Sequence, residues 1–352
     1  FHLLNAKDSS GWLVGHLSVD DNTLGKMNSQ AHSRKSSEGS VSILVGTISD
    51  YSLYYSDNYH FKIYFPALLV SRSDVIALAT YLEEAYTKIK DDLEFDYSAR
   101  TKWLVNVFVL PFWEFGPWGR SSEAYGYSIC SKLGNNFAWL EINREKIGNR
   151  EDVRVTAGHE FFHLVQALYD SRNRIAKARY QPEHLWLNEA MSVWVEEKFS
   201  DDQNYISKLL LDEFLEPYYG MHVPLPDGKS VSQKHGYGMA SMIKYLTHVY
   251  GSECLVKIYE QIYKGKHPVE AIASATDWPS RWLEKYLREL TTGNLYKIEP
   301  LDLSRNILHL ARTYDKIFQI SEESDDLKVY SKNYKDFSAK MFLVRLNYKE
   351  MV

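Results

Sequence analysis

The 352-residue chain has only two cysteines, Cys130 and Cys254, so it holds no cysteine cluster of the kind that binds zinc. The two could bridge, but a pair of buried free thiols is the favoured reading. No apolar run approaches the roughly 18 residues that a membrane span needs, and no transmembrane segment is expected. There is no excess of one charge. The formal net charge is -5, which gives no reason to expect a nucleic-acid partner. There is also no internal repeat and no charged-then-apolar leader ahead of Phe1. The expectation is that a leader has been removed or trimmed away, and that the protein is secreted or belongs to the cell envelope. What is present reads as globular, with 45% hydrophobic and 25% charged residues in a chain long enough for two or three domains.

Four regions follow from the pattern. Residues 1–58 carry a candidate strand, "GWLVGHLSV", a polar linker at 21–41 and a second strand, "SVSILVGTIS". Residues 59–150 read as an α/β subdomain. It has strands in "YHFKIYFPALLV", "KWLVNVFVLPF", "EAYGYSICSKL" and "NNFAWLEIN", and one long helix over 71–93 that opens on a Ser/Asp start signal. Residues 151–297 are predicted to be helical, with segments at 151–171, 183–199, 203–217, 236–250, 252–263 and 278–291. Residues 298–352 end in "VYSKNYKDFSAKMFLVRLNY", strands without obvious partners and the possible start of a further β domain. The expected class is α+β, with a mixed sheet first and a mostly helical half after it.

At the junction stands "AGHEFFHLVQALYD", residues 157–170. Residues four apart on a helix lie about 40° apart around its axis, so His159 and His163 can hold one ion together. Glu160 sits about 100° round from His159, which suits a base beside the metal better than a ligand. The opposite stripe, Ala157, Phe161, Leu164 and Leu168, faces the core. The bland alternative is a solvated polar stripe, although such a stripe favours Lys and Glu over a histidine pair.

Two histidines are an incomplete site, because catalytic zinc takes three protein ligands. The metalloprotease form with a third histidine is excluded, since Gln166 and Tyr169 stand where its Gly and His belong. "HLWLNEAMSVWVEEKF" offers a carboxylate instead. Its core stripe is Leu187, Ala190, Met191 and Trp194. Glu189 and Glu196 project from another face, flanked by Leu185, Trp186 and Val193. Carboxylates in apolar company need a counter-charge, and a metal supplies one. His184 is a rival ligand ranked below Glu189. Surface acids that happen to align are the alternative.

"HEFFH" followed by "WLNEAMSVWVEE" resembles the glutamate-zincins, the superfamily of thermolysin and the aminopeptidase-N-like enzymes, and the layout is similar to that of bacterial secreted proteins of this group. The resemblance implies Zn2+ on His159, His163 and Glu189, with Asn188 and Glu196 supporting the ligands from behind. It implies Glu160 as the base and hydrolysis of a peptide bond in a peptide or protein substrate. The aspartate that follows the thermolysin ligand by four is Val193 here. The Gly-x-Met-Glu-Asn strand that holds a free amine in aminopeptidases is not visible, and "NNFAWLEIN" occupies its place. An endopeptidase is therefore expected over an aminopeptidase. An edge strand within 135–143, with Asn136, Phe137, Ala138 and Trp139, is expected to pair with the substrate backbone. The family's oxyanion donor is a downstream Tyr or His, and "KHGYGMASMIKYLTHVYG" supplies Tyr237 and His235.

Two rival classes stand beside the peptidase. One is a catalytically silent, zinc-containing binding or adhesion module on the cell surface. Retention of Glu160 argues against it, because a structural metal site has no use for a base. The other is a metal-free, carbohydrate-binding surface protein, which the 14% aromatic content permits but does not require.

Overall fold

The computed structural model describes residues 51–112, 121–129, 138–170, 182–202, 229–291 and 294–296, the single positions 136, 205 and 221, and the backbone of four short strands near the chain ends. The chain divides into two compact units, Phe1–Ser52 with Pro66–Leu69, and Leu53–Phe65 with Val70–Val352. In the first, β1 (His2–Lys7) and β2 (Leu13–Ser18) form an antiparallel ribbon with Leu4 opposite His16. β2 falls within the predicted "GWLVGHLSV". The polar stretch 21–41 and the strand "SVSILVGTIS" lie outside the described residues.

The second unit is α+β, with a mixed five-stranded sheet and seven helices among the described residues. β3 (Tyr51–Tyr55), β4 (Phe61–Pro66), β5 (Val105–Leu110), β6 (Gly126–Ile129) and β7 (Trp139–Asn143) take the order β3-β4-β5-β7-β6. β4, β5 and β7 run parallel, and β6 is antiparallel to β7. Parallel neighbours need a crossover, and α1 (Arg72–Thr87) supplies the one between β4 and β5. It starts where the Ser71 hydroxyl accepts from the Asp74 N–H at 3.1 Å, which is the capping signal read from the sequence. A π-helical turn, Lys88–Asp92, carries it on to the predicted end.

Alternation fixes the sheet's inner face. Phe61 and Ile63, Val105, Val107 and Val109, and Leu140 and Ile142 are all buried, while Asn106 between them is exposed. A one-residue slip would turn this whole set outward, at about 1.5–3 kcal/mol for each large side chain, so the register is firmly set.

The helices are α2 (Arg150–Tyr169), α3 (Pro182–Glu196), α4 (Lys229–Tyr250), α5 (Glu253–Tyr263), α6 (Pro268–Ala275) and α7 (Leu283–Thr291). α2 is the keystone. Its Phe161 ring packs edge-on against Phe61 of the sheet with centroids 5.5 Å apart, and Arg154 bonds Glu84 of α1. The expected core stripes, Ala157/Phe161/Leu164/Leu168 on α2 and Leu187/Ala190/Met191/Trp194 on α3, are buried. The regions expected on either side of residue 150 belong to one unit and share one continuous core.

Some boundaries differ from the reading. α4 begins at Lys229 rather than at 236. α6 was not foreseen. The segment 278–291 splits into a short turn, Pro279–Arg281, and α7. The helix predicted over 203–217 lies outside the described residues apart from Tyr205. β8 (Ile317–Ile320) and β9 (Leu343–Leu346) pair in parallel, so the C-terminal strand has a partner within the chain. No helix among the described residues is long and apolar enough to cross a membrane.

Candidate metal centre

α2 and α3 pack side by side and bring His159, His163 and Glu189 together. The Nε2 atoms of His159 and His163 are 3.1 Å apart. Glu189 Oε2 lies 3.5 Å from the first and 3.6 Å from the second. Ligands held tetrahedrally at zinc distances stand about 3.3 Å from one another, so this triangle has the size a single ion requires.

The surrounding hydrogen bonds fix the tautomers. Glu196 Oε1, a pure acceptor, lies 2.5 Å from His159 Nδ1, so that nitrogen carries the proton. Gln166 donates through Nε2 to the Asn188 carbonyl at 2.9 Å and to the Ser192 hydroxyl at 3.2 Å. Its Oε1 is therefore the acceptor for His163 Nδ1, at 2.8 Å. Both Nδ1 atoms being donors, both Nε2 atoms present lone pairs to each other and to a carboxylate. Three acceptors converging in a buried space call for a cation. The electrostatics also favour a positive charge at this point, which a proton on the imidazoles supplies when no ion does. Burial works against a charge on His159, yet its bonds with Glu189 and Glu196 outweigh this and raise its pKa well above the imidazole range. Burial likewise opposes ionisation of Glu189, but His163 and His159 hold its carboxyl far below the usual range.

Glu160 is buried beside this triangle and is not part of it. Burial raises its pKa, against the attraction of His159 and His163, and the Ser128 N–H of β6 donates to it. The strand's phase explains that bond. The Asn143 N–H donates to the Tyr125 carbonyl at 2.8 Å, so Tyr125 and Tyr127 take the positions bonded to β7. Gly126 and Ser128 then turn their backbone groups outward. A side chain at Gly126 would stand 2.8 Å from Thr156 Cγ2 and 2.9 Å from Glu160 Cγ, so only glycine lets the strand pass this close to Glu160.

α4 closes the other side. A Cβ at Gly236 would meet Glu189 Cβ at 2.5 Å and the Trp186 carbonyl at 2.6 Å, which shows the two helices in direct contact there. Tyr237, the next residue, has its pKa pushed well above the phenol range by burial, then by the charges of Glu189, Glu196 and Glu160. Its hydroxyl thus stays a donor within the field of all three carboxylates.

Three expectations need correction. Residues 136–139 do not form an edge. β7 lies between β5 and β6, and Asn136 is tied to the Thr101 and Lys102 N–H groups at 3.0 Å each. Trp139 Nε1 donates to Glu141 at 3.0 Å, Ala138 is buried, and Phe137 lies outside the described residues. The edge strand beside the site is β6, which pairs antiparallel with β7 on the side away from β5. His235 is wholly buried with its ring 5.8 Å from that of Trp186, a packing position in the α3–α4 contact. The Asn188 side chain supports no ligand. It accepts from the Tyr259 hydroxyl at 3.0 Å, and only its backbone carbonyl serves the site, through Gln166. His184, the rival ligand, lies outside the cluster, 6.0 Å ring to ring from His267.

The sequence reading passed over several contributors. Gln166, three residues after His163, entered as the residue standing where a third-histidine motif needs Gly. Ser192 stands three after Glu189, a spacing that helix geometry makes neighbourly. Tyr205, which donates to Glu196, and Gln233, which donates to Glu189 Oε1 at 3.2 Å, carry no local signal.

A family model matches residues 65–333, which span every residue of this centre. The chain belongs to DUF6055, a family of unknown function. No curated protein matches it.

Proposed function

We propose that the protein is a zinc-dependent metallopeptidase, an endopeptidase rather than an aminopeptidase. The observation that carries this reading is the triangle of His159, His163 and Glu189 with an unligated, buried glutamate directly beside it. Two imidazoles and one carboxylate suit zinc, and the acceptor spacing agrees with it. When bound, the metal supplies Lewis acidity toward a carbonyl oxygen and toward water. The chain's own groups supply the rest. Glu160 takes a proton from the attacking water on its carboxylate and passes it to the leaving amine. Tyr237 donates a hydrogen bond from its hydroxyl to the carbonyl oxygen as charge develops there.

β6 takes the substrate-pairing role that the sequence placed on residues 136–139. Among the described strands β6 ends the sheet beside Glu160, so an extended peptide added along it passes the base. No free-amine-binding strand of the Gly-x-Met-Glu-Asn type accompanies the site, which supports internal cleavage.

The test is incubation of the zinc-loaded protein with a diverse peptide mixture, with new termini read by mass spectrometry. Cleavage by the parent but not by Glu160→Gln is expected, with zinc content equal in both. Zinc bound without cleavage of any peptide would favour the silent binding module, and no zinc uptake at all would remove the site.

A further inference from the structure

Glu189 has two oxygens, and they face different groups. Oε2 meets the two imidazoles at 3.5 and 3.6 Å. Oε1 accepts from Gln233 Nε2 at 3.2 Å. A carboxylate can only accept, so the amide nitrogen is the end that points at it. The residue is 4% exposed, so its oxygens are met chiefly by protein groups. Gln233 sits four residues before Tyr237 on α4, on the same helix face. The contact at Gly236 sets that helix against Glu189 and Trp186.

From this we infer that Gln233 is a positioning residue that makes Glu189 a one-oxygen ligand. Carboxylates bind metals through one oxygen or two, and little energy separates the modes unless one oxygen is engaged elsewhere. The amide bond engages Oε1 and leaves Oε2 alone for the metal. α4 thus contributes a ligand-restraining amide and a phenol donor one turn apart, although it carries no ligand itself. The inference rests on the metal reading above and goes beyond it by assigning the ligation mode to a residue on a third helix.

The experiment compares the full chain with Gln233→Met, which keeps the side chain's length and removes its N–H groups. Zinc affinity is measured by competition with a chelator. The visible spectrum of the cobalt-loaded protein reports coordination number, and the thermal midpoint of the metal-free protein reports structure. The expected result is a zinc affinity about 10–100-fold lower. Cobalt absorption should weaken as Glu189 binds through both oxygens, and the metal-free midpoint should hold. Gln233→Asn, whose amide falls one methylene short, should shift the cobalt spectrum in the same way, and it decides the matter if the methionine variant does not fold. A folded variant with the parental cobalt spectrum and zinc affinity overturns the assignment while leaving the metal site intact. A parent that takes up neither cobalt nor zinc overturns the metal reading, and this inference with it.

Discussion

Glu196 accepts the Nδ1 proton of His159 at 2.5 Å, and it comes from the same helix as Glu189, seven residues further on. Seven residues are nearly two turns, so one helix face delivers both the carboxylate of the His159–His163–Glu189 triangle and the carboxylate that orients a histidine of it. A negative partner makes the imidazole a stronger donor and fixes its ring. Glu196→Ala should therefore weaken zinc binding about 10–100-fold, and Glu196→Gln, which still offers an acceptor, should lose less. Chelator competition measures both. An alanine variant that binds as tightly as the parent would leave Glu196 with no part in the site.

Tyr237 and His235 can be separated kinetically. Tyr237→Phe removes one oxygen and no metal contact. Turnover should fall by about a hundred- to a thousandfold while KM changes much less, as for loss of one oxyanion donor. Zinc content should be unchanged. His235→Phe should act on stability rather than on turnover, because its ring packs against Trp186. Parental turnover in Tyr237→Phe would take the oxyanion role from it.

Gly236→Ala tests the α3–α4 contact. The new methyl would stand 2.5 Å from Glu189 Cβ and 2.6 Å from the Trp186 carbonyl, neither of which is the free end of a flexible chain. Overpacking of this kind costs about 1–3 kcal/mol, partly offset by the better helix propensity of alanine, about 1 kcal/mol. Urea unfolding should show a net loss of stability, and zinc titration a weaker site as Glu189 is displaced. Equal stability and affinity would mean that the helices part there at no cost.

The Glu84–Arg154 pair predicts a pH dependence away from the site. Arg154 reaches the two oxygens of Glu84 at 2.7 and 2.8 Å. That bond, against the opposing effect of burial and with help from Lys88, holds the Glu84 pKa below the usual value. A lowered folded-state pKa contributes stability above the unfolded value, about 4.3 for glutamate, and loses it as the pH falls through the folded one. Thermal midpoints of the parent and Glu84→Gln should therefore differ most above about pH 5 and converge toward about pH 3. A gap that stays constant across that range would show that the pair does not titrate as a unit.

What the sequence alone determined is what lies within one helix or one strand. The 3.6-residue repeat puts His159 and His163 on one face of α2, and Glu189 and Glu196 on one face of α3, whatever surrounds them. Alternation likewise marks the inner faces of β4 and β5, and the Ser71 start signal marks α1. Tertiary structure decided what depends on neighbours remote in the chain. Residues 138–143 look like a strand in either place, but hydrogen bonding to β5 and β6 on both sides makes β7 internal and gives the edge to β6. The Gln166 side chain could have faced water, and only α3, arriving 22 residues later with the Asn188 carbonyl, turns its amide so that it accepts from His163. Gln233 reaches Glu189 across 44 residues because Gly236 leaves no side chain between the helices. Periodicity records the direction in which a side chain leaves its own backbone. The group it meets there is set by packing between elements, which no local pattern encodes.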